Sequence, residues 1–189
     1  MELLGIFTAF GLSASAGLNA YIPLLVVGVI SHYTDWITLS NPWDLLANPW
    51  VLIVLGILVI IEMLADKVPA VNHINDAIQT FVRPAAGAIV FAASANVITN
   101  ISPVLALISG LLVAGSVHAV KAGAVRPVVT ATTGGVGNVP VSIAEDIIST
   151  VMSVIAILLP ILVAIMLILM VILYFWWRQR RRKKANRNI

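Results

Sequence analysis

Long apolar blocks separated by short polar stretches set the pattern of this chain. The blocks are Leu3 to Ser31, Trp50 to Ala65, Pro84 to Ile101, Pro103 to Val120 and Ile147 to Trp177. Runs of this kind predict membrane-spanning helices, the segments that satisfy every backbone group where no water reaches. The first block follows Met-Glu with no basic segment before it, so it is expected to be retained as a span and not cleaved as a signal peptide. Only Ser102 separates the third and fourth blocks, which predicts a tight antiparallel hairpin. The fifth holds 31 residues. At about 1.5 Å each these cover about 46 Å, more than a hydrocarbon core of about 30 Å, so a kink at Pro160 and a tilt are expected.

The segments between the blocks carry their own signals. His32 to Pro49 is polar, with Trp36, Trp43 and Trp50 placed as interfacial anchors and two Asn-Pro turns. In Ala70 to Val82, Val71, Ile74, Ile78, Phe81 and Val82 share one helical face, with Asn72, Asn75, Asp76 and Gln79 largely opposite. That pattern predicts an amphipathic helix in the interface or against the bundle. Val125 to Val141 is rich in Thr and Gly, too polar for a lipid-facing span. At membrane depth it would have to be a re-entrant segment buried in protein or lining a wet cavity. The expected architecture is therefore all-α: a polytopic bundle of about five spans, an interfacial amphipathic helix and a candidate re-entrant glycine-rich segment.

Composition sharpens this picture. Apolar residues make up 60% of the 189 and charged residues only 10%, against about 25% charged in a soluble domain. One membrane domain over residues 1–177 and a basic tail over 178–189 account for the length. The absence of cysteine excludes disulfides, thiolate catalysis and cysteine metal sites. Seven of the eleven Lys and Arg residues lie between Arg178 and Arg187, directly after Tyr174-Phe175-Trp176-Trp177. An aromatic belt followed by bases marks a cytoplasmic helix end and argues for anionic lipid, not nucleic acid, as the tail's partner. The expected setting is a bacterial inner (plasma) membrane with the C-terminus cytoplasmic.

With five spans, the end of the second, the start of the third, the end of the fourth and the start of the fifth share one face. This gathers Glu62, Asp66, Lys67, His73, Asp76, Arg83, His118, Lys121, Arg126, Glu145 and Asp146, including every base outside the tail. Glu62 follows eleven apolar residues, and Asp66 lies one turn further on the same face. Two carboxylates so placed need a base, a cation or a shared proton. Ionisable groups inside a membrane helix are candidates for function, and structural ion pairs, such as Glu62 with Lys121, are the competing explanation. Ser142-Ile143-Ala144-Glu145 reads as a capping box opening the last span. In the first span, Pro23 frees the carbonyl of Asn19 and predicts a kink or break there. Gly11, Ser13 and Gly17 form a small-residue stripe suited to close helix packing or to a homodimer interface.

Gly17-Leu18-Asn19-Ala20-Tyr21-Ile22-Pro23, Glu62-x-x-x-Asp66-Lys67-x-Pro69, His118-x-x-Lys121 with Arg126, Asn138 and Glu145-Asp146 resemble a bacterial membrane family, domain of unknown function 4126. The resemblance covers nearly the whole chain up to the basic tail. It implies a small multi-span inner-membrane protein and names no substrate.

Enzyme templates fit poorly. The histidines lack metal-ligand spacing, no serine sits in a Gly-x-Ser-x-Gly elbow, and no cofactor or metal is expected. Broken helices and buried ion pairs are the parts of solute sites in transporters. The expectation is a transporter or channel-like permease for a small polar or anionic solute, with proton coupling through Glu62 and Asp66. Its candidate binding residues are Asn19, Glu62, Asp66, Lys67, Arg83, His118, Lys121, Arg126, Asn138, Glu145 and Asp146. A lipid-handling or scaffold role is the alternative, and a membrane-embedded enzyme using Glu62 or His118 as base ranks third.

Overall fold

The computed structural model describes residues 2–67, 69–95 and 101–185, and within these there are helices and no strands. They are α1 (Glu2–Leu18), α2 (Tyr21–Tyr33), α3 (Pro49–Ala65), α4 (Pro69–Ala95), α5 (Pro103–Val120), α6 (Arg126–Thr133), α7 (Asn138–Leu158) and α8 (Pro160–Ala185). A 3₁₀ helix, Trp43–Ala47, precedes α3, and a π turn, Lys121–Val125, joins α5 to α6. Among the described residues, four helical stretches are long and apolar enough to cross a membrane: Ile74–Ser94, Pro103–Thr133, Asn138–Leu158 and Pro160–Arg180. Leu4–Leu18, Tyr21–Tyr33 and Pro49–Ala65 are shorter apolar helices. The chain is an all-α membrane protein. Proline opens α3, α5 and α8, positions where its missing N–H has no helical partner to lose.

α1 is the hub, packed by α4, α5, α7 and α8. Hydrophobicity cannot drive helix association among lipid tails, so close contact and interhelical hydrogen bonds must do it. A Cβ at Gly17 would strike Val117 and the Ala114 carbonyl, and one at Gly11 would strike Ala156 and Val163. Ser13 Oγ donates to the Gly87 carbonyl at 2.8 Å. Ser15 Oγ meets Ser149 and Ser153 Oγ at 2.8 and 2.7 Å. The small-residue stripe is thus occupied by helices of the same chain. Around it lies the core of Leu12, Ala16, Val27, Val90, Ala114 and Val163. α4 and α5 approach as closely, with Gly87 facing Ala114 and Gly110, and Gly110 facing Phe91.

The break expected near Asn19 is present: the first span is two helices, interrupted at Asn19–Ala20, with Pro23 in the first turn of α2, where no amide is missed. Three other local expectations are corrected. The segment expected as an interfacial amphipathic helix is the first half of α4, continuous through Pro84 with the third span. Its apolar face is turned outward and its polar face inward: Ile74, Ile78 and Phe81 are 64, 54 and 79% exposed, while Asn75 and Gln79 are 8 and 3% exposed. Lipid wants the apolar face and the protein interior takes the polar one. The fifth span is two helices, because Pro160 disfavours helical geometry at Leu159, which adopts φ −136°, ψ 58°. Ser142 and Glu145 lie inside α7, which opens at Asn138, so the capping box is not formed.

The glycine-rich stretch is helical to Thr133 and then turns through Gly134 and Gly135, whose φ of 63° and 91° suit glycine. In the turn the amides of Val136 and Asn138 donate to the Thr133 and Gly135 carbonyls at 3.4 and 3.1 Å, and the Gly137 amide to Thr133 Oγ1 at 2.9 Å. Residues 96–100, near the end of the expected third span, and the His73 side chain lie outside the described residues, while Ser102, the expected junction, directly precedes α5. α8 leaves the core after Leu167 and runs past the aromatic belt to Ala185, with the Arg180 guanidinium 3.6 Å over the Trp176 ring.

The close approach of α4 and α5 yields a test. Gly87→Leu should lower stability by about 1–3 kcal/mol through overpacking. A Cβ added at Gly56 would meet nothing within 4 Å, so Gly56→Ala should be neutral or stabilising by up to about 1 kcal/mol. Thermal unfolding in detergent, followed by circular dichroism, compares them; equal effects would contradict this packing.

Candidate functional site

Helical spacing brings the polar side chains inward from five helices. α3 delivers Glu62 near its end, with Asp66 one turn on and Lys67 beside it. α4 contributes Asn75, Gln79 and Arg83, spaced by four on one buried face. α7 contributes Ser142, Glu145, Asp146 and Ser149 at spacings of three and four. The π turn has the least obvious part. Five residues in an α-helix fall about 140° apart around the axis, which would separate Lys121 from Arg126. Because the Arg126 amide reaches back to the Lys121 carbonyl, the turn widens and both side chains face the same carboxylates.

The break at Asn19 is closed by side chains. Asn19 Oδ1 accepts from the amides of Tyr21 and Ile22 at 3.2 and 3.1 Å. The Ala20 amide donates to Glu62 Oε2 at 3.1 Å, placing an anion at the positive end of α2. The unmatched Leu18 carbonyl at the end of α1 accepts from Lys121 Nζ at 3.1 Å.

Glu62 and Arg83 form the most deeply buried pair: Arg83 Nη2 donates to Glu62 Oε1 at 2.9 Å, and both side chains are fully buried. Asp66 is the junction. Its Oδ2 is 3.5 Å from Arg83 Nη2, 3.6 Å from Lys121 Nζ and 3.3 Å from Arg126 Nη2. Asn75 Nδ2 donates to Oδ1 at 2.6 Å, and Ser142 Oγ to Oδ2 at 3.4 Å. Glu145 Oε2 lies 2.8 Å from Lys121 Nζ and 3.4 Å from Arg126 Nη2. Asp146 takes Lys67 Nζ at 3.1 Å and Asn19 Nδ2 at 3.0 Å. Arg83 Nη1 lies 3.2 Å from His118 Nδ1. Since arginine only donates, that nitrogen is the acceptor, and the ring proton sits on Nε2, 3.2 Å from Thr80 Oγ1.

These ion pairs join four acids (Glu62, Asp66, Glu145, Asp146) to four bases (Lys67, Arg83, Lys121, Arg126). The sum is zero. All eight side chains are 9% exposed or less except Lys67 at 26%.

Of the residues expected at the site, Asn19, Glu62, Asp66, Lys67, Arg83, His118, Lys121, Arg126, Glu145 and Asp146 come together. Asn138 stands apart at the α6–α7 turn, its Nδ2 donating to Thr130 Oγ1 at 2.9 Å. The pairing of Glu62 with Lys121 is replaced by Glu62 with Arg83 and Lys121 with Glu145. Asp76 forms no ion pair among the described residues; its carbonyl accepts from Thr80. Asn75, Thr80 and Ser142 join the site although the sequence pattern does not place them there, and Gln79 is buried on the same face of α4. The Asn75-Gln79-Arg83 spacing is the available signal.

Over residues 6–180 the chain matches the family described as Domain of unknown function (DUF4126), and it belongs to that family. No curated protein and no solved structure matches it.

The Glu62–Arg83 pair gives a direct test. Arg83→Gln should cost about 3–5 kcal/mol, because Glu62 is left buried without its principal partner. Adding Glu62→Gln should recover part of the loss. Denaturant unfolding of the single and double variants in bicelles measures the coupling; strictly additive effects would dissolve the pair.

Proposed function

We propose that this protein is a small permease that carries a small polar anion together with a proton. The observation behind this reading is the convergence of Arg83, Lys121 and Arg126 on the single oxygen Asp66 Oδ2 at 3.3–3.6 Å, each looser than the Arg83–Glu62 contact at 2.9 Å and the Lys121–Glu145 contact at 2.8 Å. Three cations around one oxygen make an anion site that an internal carboxylate fills. A proton on Asp66 weakens its hold on all three, and a solute carboxylate or phosphate replaces it. Proton and anion together leave the network at zero charge. An uncompensated charge in so dry a place would cost several kcal/mol.

The fold supplies what such a cycle requires. Helix breaks at Asn19–Ala20 and Leu159 and the π turn at Lys121–Val125 provide hinges where backbone geometry changes without losing a whole helix. The aromatic belt and Arg-rich end of α8 support a cytoplasmic C-terminus in a bacterial inner membrane. A scaffold role is the second reading, favoured by the mutual satisfaction and near-complete burial of the charges.

Access of water separates the two. Ser142 donates to Asp66 Oδ2 at 3.4 Å, and in a cysteine-free chain Ser142→Cys adds one small thiol at that point. In native membranes a small methanethiosulfonate reagent should modify it, and acetate or phosphate should slow the reaction at least severalfold. A thiol that reacts only after denaturation would favour the scaffold.

A further inference from the structure

Between α2, α3 and α7 lies a cavity of about 390 Å³, within the usual size range of ligand sites. Its walls are apolar, with Ile22 and Leu25 from α2, Val59 and Met63 from α3, and Ile147 and Val151 from α7. Ile147 and Val151 are 58 and 50% exposed. In a membrane those positions face hydrocarbon, so the groove opens sideways to lipid. Thr150 and Asp146 are its polar members. Asp146 connects the groove to the charged network, because Lys67 Nζ lies 3.1 Å and Asn19 Nδ2 3.0 Å from its carboxylate.

We propose that this groove binds a bilayer phospholipid carrying a primary ammonium, one acyl chain lying along the apolar walls and the headgroup meeting Asp146 and Lys67. Charge complementarity selects the occupant. The Lys67–Asp146 pair is the most exposed of the network, with Lys67 at 26%. An ethanolamine headgroup offers an ammonium for Asp146 and a phosphate for Lys67, so one internal pair is exchanged for two external ones and no charge is stranded. A choline headgroup has no N–H to donate to Asp146. A glycerol headgroup is anionic and would face Asp146 without a cation. Because Asp146 also holds Asn19, which caps α2, an occupied groove steadies the helix break beside it. The proposal concerns lipid binding alone and stands apart from the permease reading.

The test uses the purified full-length protein, depleted of lipid in detergent. Phosphatidylethanolamine, phosphatidylcholine and phosphatidylglycerol with identical chains are added separately, and native mass spectrometry and thermal unfolding are read. Phosphatidylethanolamine should be retained about tenfold better than phosphatidylcholine, the factor expected from one charge-assisted hydrogen bond, and should raise Tm the most. Ile147→Trp, at the exposed lip, should abolish that preference and leave the lipid-free Tm unchanged. Val151→Trp repeats the test should the first variant unfold. Asp146→Asn should remove the preference for ethanolamine while acyl binding persists. Equal retention of the three lipids, preference for phosphatidylglycerol, or a preference that survives filling the groove would overturn the proposal.

Discussion

Charge neutrality in a medium without water governs this molecule. A lone ion at the centre of a membrane bundle is costly, and a pair is tolerable only when geometry and further hydrogen bonds repay its desolvation. Here four acids and four bases are distributed over four segments of the chain, and none finds its partner on its own helix. The network can close only if α3, α4, the π turn and α7 meet at one level. Neutrality is therefore a constraint on helix register as well as on charge. It also explains two irregularities that would otherwise cost stability. The break after Leu18 leaves an amide and a carbonyl, which Glu62 and Lys121 take up. The π turn gives up regular helical bonding and brings Arg126 to the side on which Lys121 lies.

Below the network the bundle is held by different means. Gly11, Gly17, Gly87 and Gly110 remove the side chains that would keep helices apart. The hydroxyls of Ser15, Ser149 and Ser153 then join α1 to α7 in a short polar ladder. Such contacts suit a lipid environment, where packing and hydrogen bonds hold helices together and the exclusion of water does not. The outward faces of α3, α5 and α8 are correspondingly apolar and exposed, with Ile57, Leu112 and Leu169 all about half exposed or more. A network that demands strict register and an interface of small residues that permits close approach are complementary: the second makes the first geometrically possible.

Asp66 and Asp146 divide the network into an inner and an outer part. Asp66 faces three cations and is almost wholly enclosed. Asp146 lines the lateral groove and pairs with the network's partly exposed base, Lys67. Asn19 and Ser142 tie these parts to the break in the first span and to α7. The groove and Asp66 therefore share helices, and both connect to the α1–α2 break, through Asn19 and through Lys121 respectively.

Much of this was written in the order of residues. Block lengths and the scarcity of charge determined an all-α membrane protein, since no soluble surface can be made from these side chains. The order of blocks led to the expectation that Glu62, Asp66, Glu145 and Asp146 would collect with the four bases outside the tail, and in the fold they do. Pro23 announced a break near Asn19, and the helices part at Asn19–Ala20. Partnership was not legible. Whether Glu62 meets Arg83 or Lys121 depends on rotations of a few tens of degrees, and the π turn that decides it follows from tertiary contacts and leaves no periodic mark. The polar face of Asn75 and Gln79 was equally ambiguous, because a hydrophobic stripe states only that two faces differ. Which of them turns inward depends on whether water or lipid lies outside, and only the assembled bundle, with its charges already waiting at the centre, decided that.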